Sequence, residues 1–388
     1  MSDDSNASGS TSDSFTQTTS QSWFSRIGGA LTGLLIGLVL LPVAGFLLFW
    51  NEGRAVQTAR SLTEGAGMVQ TVAAERPDPA NEGRLVHVSG PVRAAQLPFD
   101  SDLDVKPPNG TLRLFRNVEM YQWQEENRSE TQTRLGGGTE TVTTSTYRRV
   151  WHEGRIDSGR FRQPEGHQNS QMRYTSRSFN AQGVTLGGFR ISDAQLNGLA
   201  AGEPFTPPGG SGGDGDGTRY IGNDASAPRL GDLRVSWRTA APDAISVIGA
   251  QMGEGFGTYA TNAGDRLFIL EPGTVPAATM FREAQDSNAV LTWILRLVGT
   301  VVMFIGWALL LNPLKVLADV IPPLGAVVGF GTGLLAAVLT ALTVPPIVAI
   351  AWLFYRPIVG IGILVAGLAL AYGITRLRKR RPQQEKLA

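Results

Sequence analysis

The three histidines of this 388-residue chain are its first candidates for acid–base chemistry. His87 lies in the alternating run 85–89, a pattern typical of a strand in which a histidine is a satisfied sheet residue. His152 follows a tryptophan, and His167 lies in a Gln- and Asn-rich stretch. No two histidines have the spacing of metal ligands, and no pair of carboxylates stands out. Since a nucleophilic triad needs a base beside its serine or threonine, the sequence gives no positive sign of an enzyme.

Other motifs that carry chemistry are equally weak. The chain has no cysteine, which excludes disulfides, thiolate nucleophiles and cysteine-ligated zinc. Residues 209–214 match the start of a calcium-binding nonapeptide repeat, but such repeats function only when stacked, and this one occurs once. We interpret residues 202–218 as a surface loop. The formal net charge of +1 does not point to nucleic acid. We expect no catalytic residue, no metal site and no cofactor.

Four apolar segments organise the rest of the chain, at residues 23–50, 291–311, 324–351 and 357–375. Each is near the length of about 20 residues that a bilayer core requires. Helices buried in a soluble protein would show polar faces, and these segments show none. Residues 1–22 are acidic and polar and are predicted to be a disordered tail. Because a signal peptide begins with a basic region, residues 23–50 are better interpreted as an uncleaved anchor.

Small residues recur at helical spacing in two of these segments. Glycines four residues apart share one helix face and let helix backbones approach closely in lipid. The first and third segments both have such a stripe, which favours a compact bundle or a homo-oligomer; a simple abundance of glycine in membrane helices is the alternative. The candidate packing residues are Gly29, Gly33, Gly37, Gly325, Gly329 and Gly333.

Residues 51–290 are predicted to form one β-rich domain. A juxtamembrane helix is expected over 51–72, and a second helix over 275–288 leads into the second apolar segment. Residues 131–146 indicate a hairpin tip or a mobile loop. Short runs rich in β-branched and aromatic residues indicate strands at 84–88, 112–123, 184–191, 233–237, 245–250 and 267–270.

The distribution of basic residues predicts the topology. Residues 376–388 form a basic tail, and Lys315 lies in the predicted short loop 312–323. Basic residues close to a span end stay in the cytoplasm, so both termini and this loop are expected there. Residues 51–290 are then extracytoplasmic.

The turn between the third and fourth spans has two candidate positions, Pro345-Pro346 and residues 352–356. A turn at the prolines would put Arg356 deep in the bilayer, at a cost of about 2.5–3.5 kcal/mol. A turn at 352–356 lets Trp352, Tyr355 and Arg356 act as interfacial anchors, and Trp50 does the same for the first span. We therefore expect the second position, with the prolines kinking the third span. Arg296, near the outer end of the second span, is expected to snorkel outward.

Several motifs resemble those of one family. The segments are 51–56 (Asn-Glu-Gly-Arg-Ala-Val), 81–90, 121–123, 312–314 and 352–357 (Trp-Leu-Phe-Tyr-Arg-Pro). Together they resemble the transmembrane protein 43 family, also called LUMA, over roughly residues 23–376. The resemblance implies four spans with a large domain between the first two, and it supplies no catalytic residues. Animal members lie in the endoplasmic reticulum and inner nuclear membrane, where they are similar to self-associating scaffolds. The Ala-, Gly- and Arg-rich composition here favours a bacterial member of the cell inner membrane.

These observations predict an integral membrane α-helical protein with four transmembrane helices and a β-rich (α+β) extracytoplasmic domain. Its expected partners are the lipid bilayer, a second copy of itself and other membrane proteins. The predicted role is a structural scaffold that organises membranes and membrane-protein complexes. A regulatory receptor that binds a partner or a lipid is the first alternative, and an extracytoplasmic hydrolase is the second.

Overall fold

Three long helices dominate the computed structural model, which describes residues 13–208 and 217–379. Each of the three contains a window apolar enough, in a helix long enough, to cross a membrane. The protein is therefore a membrane protein with a large β-rich region, as predicted. The helices of the described part are α1 (Trp23–Met68), α2 (Asp193–Leu196), α3 (Ala277–Ala318), α4 (Pro322–Tyr355) and α5 (Pro357–Lys379).

α1 and α3 are each longer than a bilayer is thick. At 1.5 Å per residue, the 46 residues of α1 extend over about 69 Å and the 42 residues of α3 over about 63 Å. A hydrocarbon core is about 30 Å thick, so both helices continue well past it. The predicted first span and most of the predicted juxtamembrane helix 51–72 are thus one continuous helix, which ends at Met68, whereas residues 70–72 form a strand. The predicted helix 275–288 and the second span are likewise one helix, which begins at Ala277.

The predicted cytoplasmic loop 312–323 is largely wrong. α3 continues through Pro313 to Ala318, and only residues 319–321 separate it from α4. A proline inside a helix removes one hydrogen bond, but this end of α3 is held by contacts from α1. The Trp23 indole donates to the Val316 carbonyl at 2.9 Å, and Arg26 forms an ion pair with Asp319. These contacts keep the last turns of α3 helical.

Sixteen strands lie in the described residues. They are β1 (Asp13–Gln21), β2 (Gln70–Val72), β3 (Leu85–Arg93), β4 (Arg113–Thr133), β5 (Thr139–Glu153), β6 (Arg177–Asn180), β7 (Val184–Leu186), β8 (Phe189–Ile191), β9 (Glu203–Phe205), β10 (Arg219–Ile221), β11 (Leu233–Ala240), β12 (Ala244–Met252), β13 (Gly255–Gly257), β14 (Tyr259–Ala260), β15 (Arg266–Leu267) and β16 (Ile269–Pro272).

The strands form two main sheets, each with its own core. The first has the order β1-β5-β4-β11-β10, with β6 paired to β4 and β9 to β11. In the second, the pairings β12–β13, β13–β8, β8–β7, β7–β3 and β3–β12 close on themselves as a ring. Apolar side chains from the ring strands, among them Val88, Leu186, Phe189 and Val247, are fully or almost fully buried together. Such closure leaves few free strand edges.

The long helices are fixed to the second sheet. Leu62 of α1 and Phe281 of α3 share a buried cluster with Leu85 and Ile248 from β3 and β12. Gly65 permits this contact, since a Cβ atom there would lie 2.9 Å from the Phe281 ring. The membrane helices and the domain therefore pack as one body around α1 and α3.

The outer half of the first sheet forms a polar arm, which we define as residues 13–21, 124–133 and 139–148 with the turn 134–138. β1 runs antiparallel to β5 over its whole length, with Asp13 opposite Tyr147 and Gln21 opposite Thr139. At the arm's tip, the Arg26 guanidinium donates to the Gly137 carbonyl at 2.5 Å, and the Gly136 amide donates to the Val320 carbonyl at 3.1 Å. The arm therefore reaches the end of the bundle that is remote from the domain.

The N-terminal tail is thus not wholly disordered: Asp13–Gln21, within the predicted tail 1–22, is a strand, and residues 1–12 lie outside the described residues. The prediction considered only apolar burial, whereas β1 is exposed and is held by backbone pairing to an open edge of β5. Residues 131–146 contain the tip of the β4–β5 hairpin, with its turn at 134–138, so the first of the two predicted alternatives is confirmed. The basic tail 376–388 begins inside α5, and its residues 380–388 lie outside the described residues.

The arm also conflicts with the predicted topology. That topology places residues 1–22 and 51–290 on opposite sides of a bilayer, but β1 and β5 belong to one sheet. Strands with polar side chains and an open edge do not lie in hydrocarbon. The arm therefore cannot lie along the helix bundle while lipid surrounds the bundle on all sides.

Candidate functional site at the bundle–domain junction

A buried ion pair joins three helices where the apolar segments end. The Glu52 carboxylate accepts from Nε and Nη2 of Arg296 at 2.6 and 2.9 Å, and the Trp352 indole donates to it at 2.8 Å. Glu52 is 1% exposed. The guanidinium lies 4.7 Å from the ring centre of Trp293 and 5.7 Å from that of Trp352. A two-pronged charge-assisted pair between aromatic rings fixes α1, α3 and α4 relative to one another.

A second polar network lies one turn further into the domain. The Arg54 guanidinium donates to Asn288 Oδ1 at 3.0 Å, to Thr292 Oγ1 at 3.1 Å and to Asn51 Oδ1 at 3.3 Å. Asn51 in turn donates to the Thr292 carbonyl at 3.1 Å, and Asn288 donates to the Ala55 carbonyl at 3.0 Å. Because buried polar groups are costly unless paired, this network specifies one register between α1 and α3.

A cavity of about 390 Å³ opens beside the ion pair. Helical spacing explains its walls, since residues three or four apart share one face of a helix. Its lining residues are Glu52, Ala55, Ala59 and Thr63 on α1, Gln285, Asp286, Asn288, Ala289, Thr292, Trp293 and Arg296 on α3, and Arg356. Arg356 also lines an adjoining cavity of about 360 Å³ with Arg60. The junction therefore combines a sealed polar core with an accessible polar pocket.

The predicted interfacial anchors all lie at this end of the bundle. α4 ends at Tyr355 and α5 begins at Pro357, so the chain turns at Arg356 as expected. Trp50 is 47% exposed. Tyr355 packs on Gly53, where a Cβ atom would lie 2.6 Å from its ring, and its carbonyl accepts from Arg60 at 2.9 Å. Trp352 points at Glu52 instead of acting as a free anchor.

The glycine stripes are used mainly inside the chain. A Cβ atom on Gly37 would lie 2.7 Å from the Gly306 carbonyl of α3, and one on Gly33 would lie 3.5 Å from Leu309. Gly325 and Gly329 face Asp319 and Lys315, respectively. Gly29 and Gly333 have no neighbour within 4 Å in the described part of the chain. Of the six predicted packing glycines, only Gly29 and Gly333 are uncovered by described residues.

The histidines form no catalytic arrangement in the described residues. His87 is held between Thr71 Oγ1 at 3.2 Å and the Val275 carbonyl at 2.9 Å. His167 stacks on Tyr147 and contacts the Asp13 carboxylate at 3.0 Å, which docks β1 onto the domain. His152 is exposed. Within residues 13–208 and 217–379, no cluster of His, Asp and Glu is placed to hold a metal ion.

Sequence reasoning did not find the central ion pair. It expected Arg296 to snorkel outward, whereas Arg296 pairs with Glu52, 244 positions earlier in the chain. The sequence did contain a signal for this ion pair, because the acidic Glu52 and the basic Arg296 lie near the ends of two different apolar segments. Glu52, Arg54, Asn288 and Trp293 were not candidates, although residues 51–54 belong to a motif that carried the family resemblance.

Comparison with known proteins agrees with that resemblance. The family model described as transmembrane protein 43 matches residues 120–357. The human transmembrane protein 43 is 34% identical over 379 residues, covering 91% of this chain and 92% of the human protein. The rat protein is 33% identical over 86% of this chain and 87% of its own length, and the Drosophila melanogaster homologue is 30% identical over 88% and 94%. No solved structure matches. The chain therefore belongs to the transmembrane protein 43 family.

Proposed function

We propose that this protein is a multi-pass membrane scaffold that holds its β-rich domain at a fixed position on the membrane surface and organises other membrane proteins around it. The observation that carries the proposal is the continuity of α1 and α3 from the apolar bundle into the domain. Two polar networks at the junction link these helices, and Leu62 and Phe281 seal them against the second sheet. This connection between the bundle and the domain is rigid, whereas an enzyme that needs only to be anchored could be joined to its membrane helices by a flexible linker.

In this proposal α5 is a fourth span, and the core of the domain lies outside the cytoplasm. Support comes from the length of α5, 23 residues, and from the turn at Arg356, which lies at the domain end of the bundle. The basic residues that follow favour a cytoplasmic C-terminus. For a bacterial cell this means the inner membrane.

Self-association is part of the proposed role, and the uncovered faces at Gly29 and Gly333 are its candidate contacts. Glycine faces permit close helix approach in lipid. Gly33 and Gly37 pack against α3 of the same chain, so fewer glycines are available for contacts between copies than the sequence indicated.

Crosslinking in native membranes, followed by purification in mild detergent and mass spectrometry, tests the scaffold. We expect full-length protein to yield a reproducible set of membrane proteins and crosslinks between differently tagged copies. A matched variant with Gly333→Ile should lose copy-to-copy crosslinks, whereas Gly67→Ile, on the solvent-facing extension of α1, should keep them. Recovery of the protein alone, as a monomer, would contradict the proposal.

A lipid-binding regulatory receptor is the second candidate function, because the cavity beside Arg356 opens where the apolar part of the helix bundle ends. A hydrolase is less well supported, since the Thr71 hydroxyl bound to His87 lies in a sheet and the other nitrogen of His87 faces a carbonyl, not a carboxylate. Catalysis by a Thr–His pair would need that third group to orient the base.

A further inference from the structure

The cavity at the junction has charges that the protein leaves without partners. The carboxylate of Glu52 is fully used by Arg296 and Trp352. By contrast, the side chains of Arg356 and Asp286 are exposed, line the cavity and make no hydrogen bond or ion pair with any described residue. Arg60, in the adjoining cavity that shares Arg356, is by contrast held by the Tyr355 carbonyl at 2.9 Å. One wall therefore offers a cation for a phosphate, and another offers an anion for an amine.

An apolar groove lies deeper along the same face of α3. Its volume is about 440 Å³, and it is lined by Thr300, Val301, Phe304, Ala337, Thr340, Ala341, Val344 and Pro345. Trp293, Arg296, Thr300 and Phe304 are three or four residues apart, so they form one stripe on α3. From Arg296 to Phe304 the helix rises about 12 Å, which is more than the thickness of one headgroup layer, so the groove lies at acyl-chain depth when Arg296 lies at headgroup level.

We propose that the junction binds a single zwitterionic aminophospholipid of the phosphatidylethanolamine type. Its phosphate lies against Arg356, its amine faces Asp286, and one acyl chain occupies the groove between α3 and α4. Two uncompensated charges of opposite sign match this headgroup better than they match a purely anionic one. The inference deepens the receptor alternative and does not depend on the scaffold, because a scaffold needs no specific lipid.

The position of the site gives the bound lipid a structural role. Its headgroup contacts α1, α3 and the turn at Arg356, which are the elements that the Glu52–Arg296 pair holds together. A lipid bound there stabilises the junction by mass action, since it binds the folded state alone.

Native mass spectrometry of the purified full-length protein in detergent tests the site, with 1-palmitoyl-2-oleoyl phosphatidylethanolamine as the probe. We expect one high-affinity molecule per chain, and phosphatidylglycerol of the same acyl chains should bind several-fold more weakly. Arg356→Gln should weaken binding of the probe about 10-fold, the size of effect typical for loss of a charge-assisted contact. Arg266→Gln, an exposed arginine on β15, is the matched control and should bind as wild type.

Two further variants separate the parts of the site. Asp286→Asn should reduce the preference for ethanolamine over glycerol, and Ala341→Phe should block the groove, whereas Leu342→Phe, on the exposed side of α4, should not. Thermal melting verifies that each variant is folded. Equal binding by Arg356→Gln and wild type, or by Ala341→Phe and wild type, would overturn the proposal. Failure of lipid binding with intact protein crosslinks would leave the scaffold unaffected.

Discussion

Glu52 and Arg296 illustrate how two buried charges specify a junction without adding much net stability. Glu52→Gln leaves the guanidinium of Arg296 buried without its counter-charge, a change that typically costs about 3–5 kcal/mol. We expect the thermal midpoint of the detergent-purified protein to fall by several degrees. The double variant Glu52→Gln with Arg296→Met should recover most of the loss, since it removes both charges.

The matched control for these Glu52 and Arg296 variants is Glu130→Gln. The carboxylate of Glu130 is 70% exposed in the arm and forms only a surface ion pair with Arg128. Surface pairs of this kind contribute about 0–1 kcal/mol. A double variant no more stable than Glu52→Gln alone would mean that the junction is held by packing or by the Arg54 network instead.

His87 makes the stability of the domain depend on pH. Burial lowers the pKa of His87 below its ordinary value, and the hydrogen bond to the Val275 carbonyl opposes that effect only in part. Below about pH 6.5 His87 is therefore protonated in the unfolded chain but stays neutral in the folded chain. The contribution of neutral His87 to the free energy of unfolding is present above about pH 6.5. It is lost as the pH falls further, with a slope of at most about 1.4 kcal/mol per pH unit.

Melting curves at pH 7.5 and 5.5 test this expectation. Wild type should lose stability on acidification, His87→Gln should lose less, and His152→Gln, which changes an exposed histidine, should match wild type. Identical pH dependence in all three proteins would show that groups other than His87 cause the loss of stability at low pH.

The helix elements could be predicted because their signals are local, whereas the junction could not. Runs of apolar residues located all three long helices, and the turn at Arg356 followed from the cost of burying its charge. Hydropathy could not show that Pro313 continues α3, since the contacts from Trp23 and Arg26 that hold this end come from far away in sequence. The ring of strands around β12 likewise depends on pairings between distant segments.

The α1–α3 contact yields a prediction at the same scale. Gly37→Ile places a branched side chain where even a Cβ atom would be 2.7 Å from the Gly306 carbonyl, so the two helices must separate. We expect a lower thermal midpoint, by an amount similar to overpacking changes of about 1–3 kcal/mol, with an unchanged particle size. Gly28→Ile, which meets no described neighbour and is not a proposed contact between copies, is the control. A smaller particle for Gly37→Ile would instead place this stripe between copies.

At the scale of the whole molecule, the arm and the bilayer compete for the same space. The chain has no native cysteine, so a pair of new ones reports the contact without interference. Phe15→Cys with Ser145→Cys joins positions that face each other in β1 and β5. We expect oxidative crosslinking in detergent and little in native membranes, where a spanning α1 separates the two strands.

The control pair is Thr185→Cys with Arg190→Cys, partners in the β7–β8 hairpin that no membrane can separate. It should crosslink equally well in both conditions. Equally strong crosslinking of the arm pair in membranes would mean that α1 does not separate β1 from the domain, and the proposed topology would fail.

The pairing of β1 with β5 has a consequence for biosynthesis. β1 leaves the ribosome first, and residue 139 follows 118 positions after Gln21. At about 5–20 residues per second, that interval lasts roughly 6–24 s. The apolar half of α1 emerges within the first few seconds of it and can insert before β5 exists. The order of synthesis then determines where β1 ends up. If α1 inserts promptly, β1 and β5 lie on opposite sides of the bilayer and cannot pair. If insertion is delayed, β1 can pair with β5 in water and form the arm. The ratio of the two products should follow the speed of targeting, not the stability of the sheet.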